Sequence, residues 1–272
     1  MKPRANVFAG LGSFAWLLVV GLPLYVVLSA SLQPRASYLK GGPISIPTSL
    51  TLDNYASVFA NGFLLYLFNT ILVGVGVVAL VLVLVLPLAY GIVRGRGWVN
   101  TGSFRLFLLG LAIPSQAVII PIFLLINQLG LYDTLWAIIL PTAAFALPVS
   151  VLILTGSMRD ISNELYEAMT LDGASPTRIF FTLVLPLSKS GISTIAVFTA
   201  LQAWNGFLFP LILTQSQSTK VVTLGLYSFI NQYGANVPGL LAAVILSALP
   251  ILIVYLFARR ALVAGLMGVG GK

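Results

Sequence analysis

Six stretches of this chain contain no Asp, Glu, Lys or Arg: residues 5–34, 54–93, 106–132, 134–158, 190–219 and 221–258, the shortest of them 25 residues long. A bilayer core of about 30 Å is crossed by about 20 apolar residues in a helix, since a helix satisfies its own backbone hydrogen bonds inside hydrocarbon. Each stretch is long enough for one crossing. With 59% hydrophobic and only 7% charged residues, the chain lacks the polar side chains to cover a water-facing shell. The expected fold is all-α, a polytopic membrane protein with six transmembrane helices near residues 9–31, 67–93, 106–127, 135–157, 191–213 and 239–259, forming one domain over 1–272.

The first apolar run, Val7 to Leu32, exceeds the 7–15 residues of a signal-peptide core and reads as an uncleaved anchor. With six crossings both termini share a side. Lys2, Arg4, Arg94, Arg96, Arg105, Arg159, Arg178, Lys189, Arg259, Arg260 and Lys272 fall there, against Arg35, Lys40 and Lys220 opposite. That bias places both termini in the cytoplasm. The net charge of +8 is explained by topology and not by affinity for nucleic acid.

Composition also removes much chemistry. Without Cys or His there is no disulfide framework, thiol nucleophile, common zinc cluster or imidazole triad. No Asp, Glu, Lys or Arg falls in the interior of an expected span, Arg259 closing the last one, which disfavours proton relays and ion-coupled carriers. Neutral polar groups do occur at depth, among them Asn69, Thr70, Ser150, Thr155, Thr199, Gln202 and Asn205, with Trp204 beside the last two. They suit a neutral hydroxylated solute, or equally serve as glue between helices. Gly74, Gly76, Gly91 and Gly95 offer points of close helix approach, with simple packing as the default. Prolines 23, 87, 114, 121, 141, 148, 210 and 250 lie in or at the ends of spans, where each tends to kink its helix. In the glycine-rich tail, a phosphate-binding loop requires glycine at the position of Leu266, so any driving nucleotide binds another chain.

The segment 159–189 differs from every other connection, because it holds Asp160, Glu164, Glu167 and Asp172, four of the six acids in the chain. Ile161, Leu165, Ala168 and Met169 follow helical spacing on one face, with Asp160, Asn163, Glu164 and Glu167 on another. Ser162 is the expected N-cap, with Glu164 in the positive first turn. Gly173 supplies the left-handed residue that ends the helix; Ser175 and Pro176 begin a second one, apolar through Ile179, Phe180, Leu183 and Leu185 to Pro186. Two short helices thus meet at a glycine corner on the cytoplasmic face. Physics alone makes this an ordinary interfacial helix or a docking knob for another protein.

The run ELYEAMTLDGASPTRIFFTLVLPL resembles the EAA loop of the membrane-spanning subunits of ATP-binding-cassette importers, with Glu167-Ala168, Gly173 and Leu185-Pro186 at the family's spacing. Met169 replaces a usual Ala and Leu183 a usual Ile. Leu52 to Tyr55, Ile113 to Pro121, Leu135 to Ala137, Phe145 to Pro148 and Ala203 to Asn205 resemble the carbohydrate branch, the maltose-transporter-like permeases, although Gly206 stands where an acid is frequent.

The resemblance implies a non-catalytic permease subunit in a bacterial or archaeal plasma membrane, part of an ATP-driven, binding-protein-dependent sugar importer. It implies a second homologous permease, two ATPase subunits that hold ATP and Mg, and an extracellular solute-binding protein as partners, with no cofactor in this chain. The coupling helix would lie between spans four and five, with Glu164, Glu167, Ala168, Met169, Asp172, Gly173, Leu185 and Pro186 meeting or shaping the contact with the ATPase. Gln202, Trp204 and Asn205 are the candidates for the translocation path. The alternative is a self-sufficient secondary carrier or channel for a small neutral solute.

Overall fold

The computed structural model describes residues 7–95, 97–231 and 234–270. Lys2, Arg4, Arg96 and Lys272, which contribute to the charge bias, lie outside the described residues. Among the described residues the regular structure is helical apart from one small ribbon. The helices are α1 (Val7–Ser31), α2 (Arg35–Gly41), α3 (Asp53–Ala60), α4 (Phe63–Arg94), α5 (Trp98–Leu109), α6 (Ile119–Gln128), α7 (Leu135–Arg159), α8 (Asn163–Leu171), α9 (Pro176–Ile179), α10 (Leu185–Leu187), α11 (Lys189–Trp204), α12 (Leu208–Leu213), α13 (Val222–Gly225) and α14 (Val237–Gly270). The ribbon pairs β1 (Ile230–Asn231) antiparallel to β2 (Gly234–Ala235). Two compact units divide the chain, residues 1–64 with 225–250 and residues 65–224 with 251–272.

In the first unit, a knot of hydrogen bonds returns the connection after α1 to its last turn. The Asn54 side-chain amide donates to the carbonyls of Ser31 and Gln33, 2.8 Å each, and Tyr55 Oη meets Ser31 Oγ at 2.8 Å. Asn54 is buried, so these bonds satisfy a group that would be costly to leave unpaired. Asn236 closes the start of α14 by accepting from the Gly239 amide at 3.4 Å.

The second unit is organised around α7, more than half of which is buried. Its N-cap is Thr134, whose hydroxyl accepts from the Ala137 amide. One face of α4 carries Val73, Val77, Val81, Val85 and Ala89, none more than 1% exposed, in one core cluster with Ile138, Ile139, Ala143 and Ala146 of α7. Small and β-branched residues every fourth position form a smooth ridge that lets two helix backbones come close. Gly76 makes the approach possible, since a Cβ there would lie 2.8 Å from Ile139 Cδ1; Gly74 and Gly91 face open space instead.

Three helices are long and apolar enough to cross a membrane, residues 10–31, 63–94 and 135–159, and two bent pairs raise the number to five among the described residues. The third and fifth expected crossings are not single rods. Between α5 and α6 the chain turns by 93°, because Pro114 forces Ile113 into extended geometry at φ −90°, ψ 109°. Before α11 the axis turns by 73° at Ser188. The expected helix 191–213 also breaks at Asn205–Phe207, so α12 is a separate half-helix. Pro210 explains the break: it has no amide to give the Gly206 carbonyl four residues earlier, and Thr223 Oγ1 donates to that carbonyl at 2.8 Å instead. α14 runs 34 residues, from Val237 to Gly270, and its first half is apolar over Val237–Ile253.

Of the neutral polar residues at depth, two tie separate elements together and most of the others bond within their own helices. Asn69 donates to the Ser218 and Lys220 carbonyls at 2.8 Å each, and Thr70 accepts from the Val222 amide at 2.9 Å. Ser150, Thr155 and Thr199 each donate to the carbonyl four residues back in their own helix.

Candidate functional site

The acidic segment folds into the expected elbow. Ser162 Oγ accepts from the Glu164 amide at 3.2 Å and starts α8. At the other end Ala174 N donates to the Met169 carbonyl at 2.9 Å and Gly173 N to the Thr170 carbonyl at 3.0 Å, the paired bonds of a Schellman ending. Gly173 has φ +75°, which only glycine adopts without cost. Ser175 then accepts from the Arg178 amide at 3.3 Å, with Pro176 in the first turn of α9.

Past Ile179 the helix widens into a π-helical turn over Phe180–Val184 before α10, so the second arm is not the regular helix expected from its apolar run. Pro186 accounts for this, because in a regular helix its ring would clash with the carbonyl of Thr182, and a wider turn avoids the clash. Leu185 is half-buried and Pro186 exposed at the bend that leads into α11.

The faces of α8 differ from the expected division. Ile161, just before the helix, and Tyr166 are buried and Met169 is half-buried, whereas Leu165 and Ala168 point outward. Helical spacing allows either division; Tyr166 wins the inner face because α4 and the second arm offer it a pocket of apolar and cationic partners. The outer surface therefore carries Glu164, Leu165, Glu167, Ala168, Leu171 and Asp172, all exposed, with Leu171 at 89%. Carboxylates alternating with bare apolar side chains suit a protein groove better than open water.

The last turn of α4 holds both arms from behind. Arg94 stacks over the Tyr166 ring, its guanidinium carbon 4.0 Å from the centroid, and donates through Nη1 to Asn163 Oδ1 at 2.9 Å. One turn earlier, Tyr90 Oη donates to the Pro176 carbonyl at 3.3 Å, and its ring lies 5.3 Å from that of Phe180. Burial pushes the Tyr166 hydroxyl above its ordinary pKa, with Arg94 opposing, so it stays protonated. Its oxygen is enclosed without a hydrogen-bond partner. Sequence reading used Arg94 for topology only and missed Tyr90 and Tyr166; the four-residue spacing of Tyr90 and Arg94 at the end of a span was the available signal.

A second feature lies where the helix breaks meet. A cavity of about 200 Å³ is lined by Ser115, Thr142, Phe145, Gln202, Gly206 and Phe207 to Phe209. Gln202 lies on this lining, whereas Asn205 spends its amide on the Leu201 carbonyl at 2.9 Å, and Trp204 is half-buried outside the lining.

Beyond the cavity, the C-terminal end of α12 is fastened by Asp133, which sequence reading did not single out. One carboxylate oxygen of Asp133 accepts from the amides of Gln215 (2.8 Å) and Ser216 (3.0 Å) and from Thr219 Oγ1 (2.7 Å), while the Asp133 amide donates to the Leu213 carbonyl. These donors, the Gln215 amide foremost, lower the Asp133 pKa to about 2. Asp133 has φ +58°, the only non-glycine residue with positive φ among those described.

Comparison with known proteins places these features in a family. Residues 84–266 match the model described as binding-protein-dependent transport system inner membrane component. A putative ABC transporter permease protein of Caldicellulosiruptor sp. is 34% identical over 93% of this chain and 92% of its own. A trehalose transport system permease protein of Mycobacterium tuberculosis is 33% identical over 92% of each chain. In fold, the chain is similar to a bacterial ABC transporter involved in the import of the acidic polysaccharide alginate, with TM-score 0.79 at 21% identity, covering 96% of this chain and 98% of that one. With more than half its length matched by the family model, this chain belongs to the inner membrane components of binding-protein-dependent transport systems.

Proposed function

We propose that this chain is the sugar-conducting permease subunit of an ATP-driven importer, and that residues 159–189 receive the force of ATP hydrolysis. Family membership makes it a multi-pass, non-catalytic membrane component that works in a complex with an ATPase and a solute-binding protein; ATP is bound by the separate ATPase subunits. It also displaces a self-sufficient carrier or channel.

In the full reading the whole chain acts as one permease domain, crosses the membrane six times and keeps both termini in the cytoplasm. It pairs with a second, homologous permease above two ATPase subunits. The sugar assignment is supported by relatives such as the trehalose permease protein and by a cavity lined with neutral hydrogen-bonding groups and aromatic rings.

The single observation that carries the coupling role is the outward surface of α8, acidic and apolar, held from behind by Arg94 and Tyr90 at the end of a long membrane helix. Glu164, Glu167 and Asp172 supply charge to the ATPase groove, and Ala168 lets the two surfaces come close. Met169 anchors α8 to the permease, Gly173 sets the corner, and Leu185 and Pro186 return the chain to the membrane. Motion of the groove then moves α8 and α4 together.

The test is ATP hydrolysis by the reconstituted complex, stimulated by the sugar-loaded binding protein. Glu167→Lys is expected to abolish stimulation with the permease still inserted in the membrane. Undiminished stimulation in Glu167→Lys combined with Gly173→Val would remove the coupling role.

A further inference from the structure

The cavity between the helix breaks has a composition that selects its occupant. Two interruptions converge on it, the bend at Pro114 next to Ser115 and the gap at Gly206 between α11 and α12, while the continuous α7 lines it with Thr142 and Phe145. Irregular backbone at membrane depth persists only where protein buries it or where it lines a polar cavity. Its recurrence on two sides of one cavity marks a place built to be wet. No lining residue is ionisable, so a charged ligand would find no counter-ion.

The lining offers two kinds of contact. The Gln202 amide supplies two donors and an acceptor; the hydroxyls of Ser115 and Thr142 add to these. Thr142 already donates to the Ile138 carbonyl at 2.6 Å, so its oxygen faces the cavity as an acceptor. Phe145, Phe207 and Phe209 provide flat apolar surfaces, the rings of Phe145 and Phe209 lying 5.7 Å apart and tilted by 39°. A ring molecule with hydroxyls at its edge and C–H bonds on its faces satisfies both. At about 200 Å³ the cavity is smaller than the roughly 300–1,000 Å³ of sites that enclose drug-sized ligands, which limits it to one such ring.

We infer that this cavity is a subsite for a single neutral pyranose or furanose unit, lying in this chain's own share of the path and formed by Ser115, Thr142, Phe145, Gln202, Phe207 and Phe209. The inference rests on the reading of the chain as a sugar permease. A longer saccharide passes it one unit at a time, held by hydrogen bonds too few to trap it. The rigid setting comes from α12, whose two ends are fixed by Thr223 on the Gly206 carbonyl and by Asp133 on the following loop.

The test uses the complete complex in liposomes with glucose, trehalose, chitobiose and arabinotriose as probes, and reads sugar imported per ATP hydrolysed. Gln202→Leu and Thr142→Val keep side-chain size while removing hydrogen bonds; Gln202 is exposed, so its substitution leaves assembly intact if the buried Thr142 variant does not fold. The expected result is a fall in the ratio of at least threefold in Gln202→Leu. A smaller fall, with the wild-type complex importing a probe sugar, overturns the subsite and leaves the permease reading standing. Failure of the wild-type complex to import any of the four would overturn the sugar reading itself and the subsite with it.

Discussion

The guanidinium of Arg94 lies 4.0 Å from the centre of the Tyr166 ring, joining the last turn of a long membrane helix to the middle of the acidic α8. Arg94 is exposed and Tyr166 is 2% exposed, so the cation closes the lid of an apolar pocket. A cation over a ring at such a site contributes about 0.5–1 kcal/mol, and its hydrogen bond to Asn163 about as much again.

Arg94→Ala is therefore expected to loosen α8 without unfolding the chain. ATP hydrolysis stimulated by the loaded binding protein should fall by about fivefold, the factor that about 1 kcal/mol represents, and Arg94→Lys should fall less. Equal stimulation in wild type and Arg94→Ala would show that α8 is held by other contacts.

Tyr166 separates ring from hydroxyl. Its oxygen is buried without a partner, so Tyr166→Phe removes an unsatisfied group and should leave the melting temperature of the detergent-solubilised complex unchanged or slightly raised. Tyr166→Ala empties the pocket and should cost about 3–5 kcal/mol, as for other buried aromatic truncations. A clear loss in Tyr166→Phe would mean that the hydroxyl is bonded in the working complex.

At the corner, Gly173 has φ +75°, and a Cβ there would meet nothing within 4 Å. The penalty for substitution is conformational only. Gly173→Ala should destabilise by about 1 kcal/mol and Gly173→Val by more, with Gly173→Asn the mildest of the three. Chemical denaturation of the purified permease ranks them; a Val variant as stable as Asn would contradict the left-handed corner.

Asp133 makes a pH prediction. Its pKa of about 2 lies below the roughly 3.9 of an unfolded aspartate. A depressed folded pKa stabilises the ionised form, so the contribution is complete above about pH 4 and is lost as pH falls toward 2. Protection of the Gln215 and Ser216 amides against hydrogen exchange, taken relative to the intrinsic rate at each pH, should fall across that window in wild type. In Asp133→Asn, which keeps a side chain suited to φ +58°, exchange should be fast already at pH 6 and show no such step.

The sequence made the membrane class and the elbow legible for a physical reason: charges are so scarce that each one is a signal. Ser162, Gly173, Ser175 and Pro176 perform the capping and turning roles their residue types predict. The inner faces were not legible, because in a chain 59% hydrophobic an apolar stripe has no polar background. The ridge from Val73 to Ala89 does not differ in residue type from the exposed side, which carries Val75, Val83 and Leu84 between its members. For the same reason the spacing of Ile161, Leu165, Ala168 and Met169 did not show that Tyr166 is the buried residue of α8. Helix breaks at Pro114 and Pro210 were marked by proline, yet equally interior Pro87 and Pro141 leave their helices continuous. What distinguishes Pro210 is a tertiary partner, Thr223, which takes over the freed Gly206 carbonyl and which no local pattern reveals.

The most direct measurement is site-specific cross-linking on the outer face of α8 in the intact complex, with a photoreactive side chain at Leu171, which is 89% exposed, and a control at Tyr66, in the first turns of α4. Adducts between position 171 and the ATPase subunit, changing in yield when ATP is added and absent from position 66, are the predicted result. No ATPase adduct from position 171 in a complex that still imports sugar would contradict the account.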